Sequence, residues 1–364
     1  MTDLLDIIWK GLDLGGNGFP EVRSDVDWFS VHREAAIQTV SGVAFDGMRQ
    51  LVEAGQSKID KQLMLSWYSE VMRIEKVNAV VNAVMGEVTK LFRNEGIPFV
   101  VMKGQTAAAL YPTPNHRQPG DIDITVWGGR YLDACKALNE QGAVFDEEIP
   151  EKHSEFQYHG VTVEVHHTML DLCNSRALQY LRGIDLRNVT QTRDVTGMQI
   201  PCLKDEFNCV YMLGHMVHHL MVEGLGLRQV CDWMVLMQKA EREDNFNRDE
   251  LKRHLKGMKM ERACGTFLQL GIKYFGLNRD LWQKEIGDST EKDAERLLNF
   301  IMESGNFGRK QNKKKDSHSL CGNISNACLY AGHLWKLRRL APSEVWAFYP
   351  ARIKRWWLKR KKNK

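Results

Sequence analysis

The 364-residue sequence predicts an α/β (α+β) protein, with a small mixed sheet at its centre between N-terminal helices and a C-terminal helical domain. Three observations support this. Apolar residues recur every three to four positions up to about residue 95, short apolar runs separated by turns follow to about 168, and helical spacing returns from about 205. The boundaries we expect are a helical region at 1–96, an α/β core at 97–203, a helical domain at 204–307, and a basic linker, helix and tail at 308–364.

The longest helical pattern ends the first region. Its apolar positions run from Ile59 to Leu91, and the stretch RNEGIP follows. Gly96 can adopt a left-handed cap and Pro98 cannot continue a helix. We therefore expect this helix to stop just before residue 97.

The next segment alternates between strand and helix. PFVVM (98–102) and DIDITV (121–126) are typical of strands, whereas GQTAAALYP (104–112) and RYLDACKALNEQG (130–142) are typical of helices. SEFQYHGVTVEVHH (154–167) indicates two strands joined by a turn at His159 and Gly160. The segment is therefore expected to form a compact α/β unit.

The composition favours a globular, cytoplasmic protein. Hydrophobic residues make up 43% and charged residues 26% of the chain. No apolar run reaches the roughly 18–20 residues that span a bilayer, and the N-terminus is acidic where a signal peptide is basic. The eight cysteines are scattered without a CxxC pair, which fits reduced thiols and argues against a cysteine-based zinc site.

The net charge of +4 comes from the end of the chain. The last fourteen residues, ARIKRWWLKRKKNK, contain eight Lys or Arg, and the rest of the chain has 42 basic and 46 acidic residues. Three interpretations stay open: a solvated end, peripheral contact with an anionic membrane through Trp356 and Trp357, and contact with nucleic acid. The near-neutral body argues against an extended nucleic-acid track.

Two aspartates inside a strand pattern are the centre of the functional prediction. Because side chains alternate along a strand, Asp121 and Asp123 face one side together while Ile122 and Ile124 face a core. Two carboxylates so close repel each other unless a cation compensates, and their hard oxygens suit Mg²⁺ or Mn²⁺. Glu164, on another apolar strand, can join them if the two strands are neighbours.

A cradle for phosphates is expected just upstream. Gly104 lets the backbone approach a ligand closely, and the helix predicted after it directs free N–H groups towards an anion. Lys103 adds a full positive charge, and Arg117 is close enough in sequence to reach the same phosphates, or to pair with an acid.

Several histidines form a second candidate group. His215, His218 and His219 share one arc of a predicted helix, with the spacing of a zinc helix, but Met216 stands where a metalloprotease has its glutamate. Either this face lines the cleft and contacts the acceptor or a phosphate, or it is a hydrogen-bonded cluster between domains. Of the adjacent His166 and His167, one must point towards the site and the other towards the core.

Two further features are expected to be structural. Tyr111 and Pro112 shape the end of the predicted helix. Arg228 and Asp232, four residues apart, have the spacing of an ion pair on a helix surface. A role in orienting substrate stays open for this pair.

The order of these motifs resembles a known superfamily. A strand, a glycine turn, a helix, a strand with DxD and a later strand with one acid are similar to the nucleotidyltransferases that include DNA polymerase β and the aminoglycoside nucleotidyltransferases. Within this superfamily, MKGQTAAALYPTPNHRQPGDIDITV is similar to a bacterial family of uncharacterised nucleotidyltransferases, as are the later VEVHH, GHMVHHL, RQVCDWMVLM and GNFG. The resemblance covers most of the chain and is strongest from 100 to 126.

The resemblance implies a polymerase β-like core and a metal-dependent reaction. A nucleoside monophosphate moves from an NTP such as ATP to a hydroxyl on a small molecule, a sugar or a protein, with release of pyrophosphate and with two Mg²⁺ (or Mn²⁺) ions. The residues to which it assigns roles are Asp121, Asp123 and Glu164 as catalytic metal ligands, Lys103, Gly104, Gln105, Thr106 and Arg117 at the nucleotide, and His166, His215 and His219 at the acceptor or cleft.

One departure from the superfamily bears on activity. Where its members usually have Gly-Ser, with the serine hydroxyl at the phosphates, this chain has Gly104 and Gln105. Thr106 or Lys103 is then expected to replace the serine. The alternative function is a catalytically inactive nucleotide-binding sensor or assembly protein with the same fold.

Overall fold

A computed structural model of the protein describes residues 2–14, 25–149, 153–305 and 331–351. The strands are β1 (Phe99–Met102), β2 (Ile122–Val126), β3 (Val144–Ile149), β4 (His153–Tyr158), β5 (Val161–His166), β6 (Thr190–Val195) and β7 (Met198–Leu203). The helices before the last strand are α1 (Thr2–Gly11), α2 (Trp28–Ile37), α3 (Ser41–Glu53), α4 (Lys61–Asn94), α5 (Gln105–Ala108), α6 (Tyr131–Glu140) and α7 (Ser175–Arg182). The helices after it are α8 (Asp205–Val222), α9 (Leu227–Arg242), α10 (Arg248–Met258), α11 (Glu261–Phe275), α12 (Arg279–Ile286) and α13 (Glu291–Ser304), followed by helical residues at 331–337 and 342–351.

The strands form one mixed sheet in the order β3-β4-β5-β2-β1-β7-β6. β2 pairs with its two neighbours in different directions: it runs antiparallel to β1 and parallel to β5. β7 lies parallel to β1, and the β3-β4-β5 and β6-β7 connections are antiparallel. The prediction of a mixed α/β protein with helices on both sides of the central segment is confirmed.

The 34-residue helix α4 supports one face of the sheet. It begins at Asp60, whose carboxylate accepts hydrogen bonds from the backbone N–H groups of Gln62 and Leu63, as an N-cap does. It ends before Gly96, which has a φ of 61°, as the RNEGIP stretch predicts. The capping signals at both ends therefore account for its bounds.

The two faces of the sheet have different neighbours because side chains alternate along each strand. In β1, Phe99 and Val101 join a cluster with the second half of α4 and with α6, whereas Val100 and Met102 join a larger cluster with the C-terminal helices. In β2, the predicted core residue Ile122 joins the α4 cluster. The opposite face of β2 and β5 is therefore turned towards α8 and α9.

Some elements differ from the sequence prediction. The helix expected over 104–112 is the single turn α5, because the chain turns away after Ala108. The phosphate cradle expected at this turn stays a prediction, with one helical turn in place of the longer helix. The sequence does not predict the strands β3, β6 and β7. β3 (VFDEEI) and β6 (TQTRDV) are largely polar and alternate weakly, and β7 (MQIPCL) contains Pro201, which argues against a strand.

The N-terminal and C-terminal helices share one hydrophobic cluster. Leu5 and Ile8 of α1 belong to the same cluster as Phe267 of α11 and Leu337 near the end of the described chain. The boundaries 1–96, 97–203 and 204–307 stay a prediction. The basic linker at 308–319 and the tail from 352, with its three interpretations, lie outside the described residues.

None of the helices in the described ranges combines the length and the apolar character needed to cross a bilayer.

A buried asparagine connects α4 to the chain that leads into β2. The side-chain amide of Asn78 donates to the carbonyl oxygens of Asn115 (2.7 Å) and Arg117 (2.9 Å). Its Oδ1 accepts a hydrogen bond from Gln105 Nε2 at 3.1 Å. Asn78 is fully buried, so these groups depend on one another rather than on water.

We expect Asn78→Ala to lower the free energy of unfolding by about 2–4 kcal/mol, since each buried polar group left without a partner costs about 1–3 kcal/mol. Denaturant unfolding followed by circular dichroism measures this. Val80→Ala, at a half-exposed position of the same helix, is the matched control and should change stability by less than about 0.5 kcal/mol. Equal effects of the two substitutions would contradict the structural role of Asn78.

Candidate active site

The register of three neighbouring strands aligns acidic side chains in a row. Asp123 on β2 lies opposite Glu164 on β5, and Glu164 lies opposite Glu155 on β4. We call Glu155, Glu164 and Asp123 the acid row. Two residues further along the same face, His153 lies opposite His166, and these form the histidine pair.

Asp121 approaches the acid row from just before β2. One carboxylate oxygen from each of Asp121, Asp123 and Glu164 lies within 4.8 Å of the others. At that limit two carboxylates repel by about 3.5 kcal/mol at an effective dielectric constant of about 20. The structure thus brings together the three acids singled out in the sequence, and their proximity requires positive charge.

Lys103 supplies part of that charge. Its Nζ lies 2.9 Å from Asp123 Oδ2, and Asp123 is only 3% exposed. Burial alone would raise the pKa of Asp123, but the Lys103 ammonium and a hydrogen bond with His166 outweigh it and hold that pKa well below its usual range. Burial opposes the charge of Lys103 as well, but the carboxylates of Asp123 and Asp121 outweigh it and raise the Lys103 pKa. Both groups therefore stay charged.

The backbone places Lys103 in an uncommon conformation. Lys103 has a φ of 44° and Gly104 a φ of 56°, so the chain turns through two successive left-handed residues after β1. Such a φ strains a non-glycine residue. The turn brings both residues to the wall of the pocket described below.

Glu164 and His166, which contact each other, both have raised pKa values. Burial raises the pKa of Glu164 to about 7, with the charges of Asp123 and Asp121 adding to it and the His166 hydrogen bond opposing it. Burial lowers the pKa of His166, but hydrogen bonds with Asp123 and Glu164 outweigh it and raise that pKa to about 9. His166 lines the pocket described below and is the member of the 166–167 pair that faces the site. The expectation that the other points towards the core is wrong, because His167 is exposed and packs edge-on against Tyr131.

These groups open into a pocket of about 360 Å³. The wall opposite the sheet comes from α8 and includes Tyr211, His215, His218 and His219. This is the cleft-lining position that the sequence suggested for the histidine face, and it brings the histidines and the acids into one pocket.

Two of these histidines extend a chain of contacts from Lys103. His215 Nε2 lies 3.3 Å from Lys103 Nζ and 3.0 Å from His219 Nε2. Burial, followed by the nearby Lys103 charge, holds the pKa of His215 well below its usual value. A neutral imidazole can therefore accept a hydrogen bond from the lysine.

Arg117 lines the pocket but is held by an acid. Its Nε and Nη2 donate to the two carboxylate oxygens of Asp232 at 2.7 and 2.8 Å, and both residues are almost fully buried. The hydroxyl of Tyr111 donates to the same carboxylate at 2.6 Å. Of the two roles considered for Arg117, the structure shows pairing with an acid.

Arg228 has a different role from the surface ion pair expected with Asp232. Its Nη1 donates to the carbonyl oxygens of Gln118 and Pro119, both at 3.2 Å. The surface-pair prediction is therefore wrong, because both side chains turn inwards. Together, Arg117 and Arg228 fix the segment that leads into Asp121.

Gln105 and Thr106 do not reach the pocket. The amide of Gln105 donates to Asn78 and Asn82 in the interior, and the hydroxyl of Thr106 donates to the backbone oxygen of Lys103. Both residues are at least 95% buried. Of the two candidates to replace the superfamily's serine, only Lys103 lines the pocket.

Two residues of β4 are among the pocket residues that the sequence analysis missed. His153 and Glu155 lie in the pocket because the hairpin pairs them with His166 and Glu164. A signal was present, since a two-residue turn at His159 and Gly160 fixes the register of both strands. Counting back from the turn therefore places these two side chains beside the acids.

The residues present fit a divalent cation. Carboxylate oxygens from Asp121, Asp123 and Glu164 are the donors that Mg²⁺ and Mn²⁺ prefer. A second group of donors, His153, Glu164 and His166, also has its ligand atoms within 4.8 Å of one another. Glu164 belongs to both groups.

Comparison with known proteins gives a family match. Residues 24–276 match a family described as uncharacterised nucleotidyltransferases. No curated protein matches the sequence. Among solved structures, the chain is similar to the crystal structure of an antigenic nucleotidyltransferase-like protein from Paracoccidioides brasiliensis, with 15% identity and a TM-score of 0.35 over 56% of this chain and 96% of that one. Because the family match covers well over half of the sequence, the chain belongs to the family of uncharacterised nucleotidyltransferases.

Proposed function

We propose that this protein transfers a nucleoside monophosphate from an NTP to a hydroxyl-bearing acceptor and releases pyrophosphate. The observation that carries the proposal is the convergence of Asp121, Asp123 and Glu164 in a pocket of a nucleotidyltransferase family member. The acceptor, whether small molecule, sugar or protein, and the base preference are open.

The acids hold divalent ions in this proposal. Asp121 and Asp123 would hold both ions, Mg²⁺ or Mn²⁺, and Glu164 would complete the site. The ions would neutralise the triphosphate and the charge that develops at phosphorus. The acceptor oxygen forms a bond to the α-phosphorus as the bond from that phosphorus to the bridging oxygen breaks, and pyrophosphate leaves with that oxygen. The proton of the acceptor hydroxyl passes to the Glu164 carboxylate.

Lys103 and Gly104 hold the phosphates. Lys103 lines the pocket beside Asp123, so its ammonium can exchange the carboxylate for a phosphate oxygen once an ion takes its place. Gly104 has no side chain to keep phosphates away from the backbone. Arg117, held by Asp232, contributes by fixing the segment before Asp121 rather than by binding phosphate.

The histidine face of α8 borders the acceptor side. His215 and His219 line the pocket opposite the acids, and imidazole rings can form hydrogen bonds with a hydroxyl group. These two residues are therefore the candidates for contact with the acceptor.

One observation favours the second function, a nucleotide sensor without turnover. The turn after β1 presents no side-chain hydroxyl to the pocket, because Thr106 bonds to Lys103 O and position 105 is a buried glutamine. A site lacking this phosphate contact could bind a nucleotide and leave it intact.

We expect Asp123→Asn to lower the rate of pyrophosphate release at least about 100-fold, a loss typical of removing a charge at the reacting phosphate. A coupled pyrophosphate assay with each NTP and Mg²⁺ or Mn²⁺ measures this. Asp249→Asn, on an exposed side chain of α10, is the matched control and should leave the rate unchanged. Full activity of a folded Asp123→Asn protein would refute the metal role.

Nucleotide binding separates the two functions. We expect calorimetry to show metal-dependent binding of a non-hydrolysable NTP by the wild type and its loss in Asp121→Asn/Asp123→Asn, because both ions depend on these carboxylates. The transferase also releases pyrophosphate when its acceptor is present. Binding without release across a broad set of acceptors would favour the sensor, and no binding by the wild type would reject both functions.

A further inference from the structure

The histidine pair offers nitrogen donors next to the oxygen donors of the acids. His166 Nε2 lies 3.0 Å from Glu164 Oε2 and 3.1 Å from Asp123 Oδ1, and His153 Nε2 lies 3.7 Å from Glu164 Oε2. Ligands held about 2.1 Å from one ion lie about 3.0 Å apart in octahedral geometry and about 3.4 Å apart in tetrahedral geometry. The spacing of these atoms is therefore close to that of ligands around a shared ion.

Hydrogen bonds alone cannot satisfy all the atoms that meet at these histidines. A ring nitrogen carries a single hydrogen, yet two anionic oxygens converge on His166 Nε2. The same holds for His153 Nε2, which faces Glu155 Oε1 at 3.1 Å as well as Glu164. A cation bound to the nitrogens can be shared by the surrounding oxygens, whereas one hydrogen cannot serve two oxygens with good geometry.

Burial makes these histidines costly unless they have a partner. His153 is 8% and His166 9% exposed, and their ring centroids are 4.6 Å apart. One ligand atom from each ring and one from Glu164 lie within 4.8 Å of one another, so both rings can contact one ion. A neutral imidazole is the form that binds metal ions.

The chemistry of the donors selects the ion. Imidazole nitrogen suits Zn²⁺, Co²⁺ and, less strongly, Mn²⁺, whereas Mg²⁺ prefers oxygen ligands and retains its waters. We infer that His153, His166 and Glu164 bind a first-row transition-metal ion, adjacent to the ions that the proposed function assigns to Asp121 and Asp123 and sharing Glu164 with them. The inference rests on the proposed function only for these neighbouring ions, since the nitrogen-ligated site can be occupied whether or not transfer takes place.

Pulsed electron paramagnetic resonance of Mn²⁺ bound to the full-length protein tests the inference. We expect electron spin echo modulation from ¹⁴N in metal-stripped wild type reloaded with Mn²⁺, and a change to ¹⁵N modulation when the histidines are ¹⁵N-labelled. Equilibrium dialysis of the same samples gives the number of ions bound. If Mn²⁺ binds to the protein but its echo shows no modulation from histidine nitrogen, the proposal is overturned.

Variants of the two histidines show which of them binds the ion. His153→Gln and His166→Gln should each weaken Zn²⁺ binding at least about tenfold, which is the loss caused even by residues that only support a metal ligand. His159→Gln, an exposed histidine at the turn of the same hairpin, is the control and should not change the affinity. Unchanged Zn²⁺ affinity in both folded test variants would also overturn the proposal.

The two proposals fail in different ways. Pyrophosphate release with Mg²⁺ but no nitrogen ligation would keep the transferase and remove the transition-metal site. Nitrogen ligation without release would keep the metal site and remove the transferase.

Discussion

The pairing of β2 with β5 is the constraint on which the site depends. It places Asp123 beside Glu164, and through β4 it adds Glu155 and the histidine pair on the same face. A slip of one residue would turn Asp123 into the α4 cluster and Ile122 into the pocket, at the cost of a buried carboxylate and an exposed apolar side chain. The hydrophobic face of the sheet thus fixes the position of the polar face.

A second set of contacts fixes the segment at 115–119 that leads into β2. Asn78 binds the backbone at Asn115 and Arg117, while Arg228 binds it at Gln118 and Pro119. The ion pair of Arg117 with Asp232 joins this segment to α9. The segment that leads into the first acid of the DxD motif is therefore positioned by α4 on one side and by α9 on the other.

The sequence was most informative where local chemistry decides the structure. The strands at PFVVM and DIDITV, the hairpin turn, and the end of α4 follow from alternation, glycine and proline, and the acids follow from their place on the strands. The partner of Arg117 could not be predicted, because Asp232 is 115 positions away and only the fold brings the two side chains together. The inward turn of Gln105 depends likewise on Asn78 and Asn82, which only the packing of α4 brings near.

The contact between Lys103 and Asp123 has a thermodynamic consequence. In the proposed reaction, an ion that binds Asp123 would take the place of the Lys103 ammonium, which would then be free to contact the triphosphate. The ion would compensate the carboxylate and the triphosphate would compensate the ammonium, so each would strengthen the binding of the other by the same factor. Under the proposed function, the pocket would therefore bind a metal–nucleotide complex more tightly than either component alone.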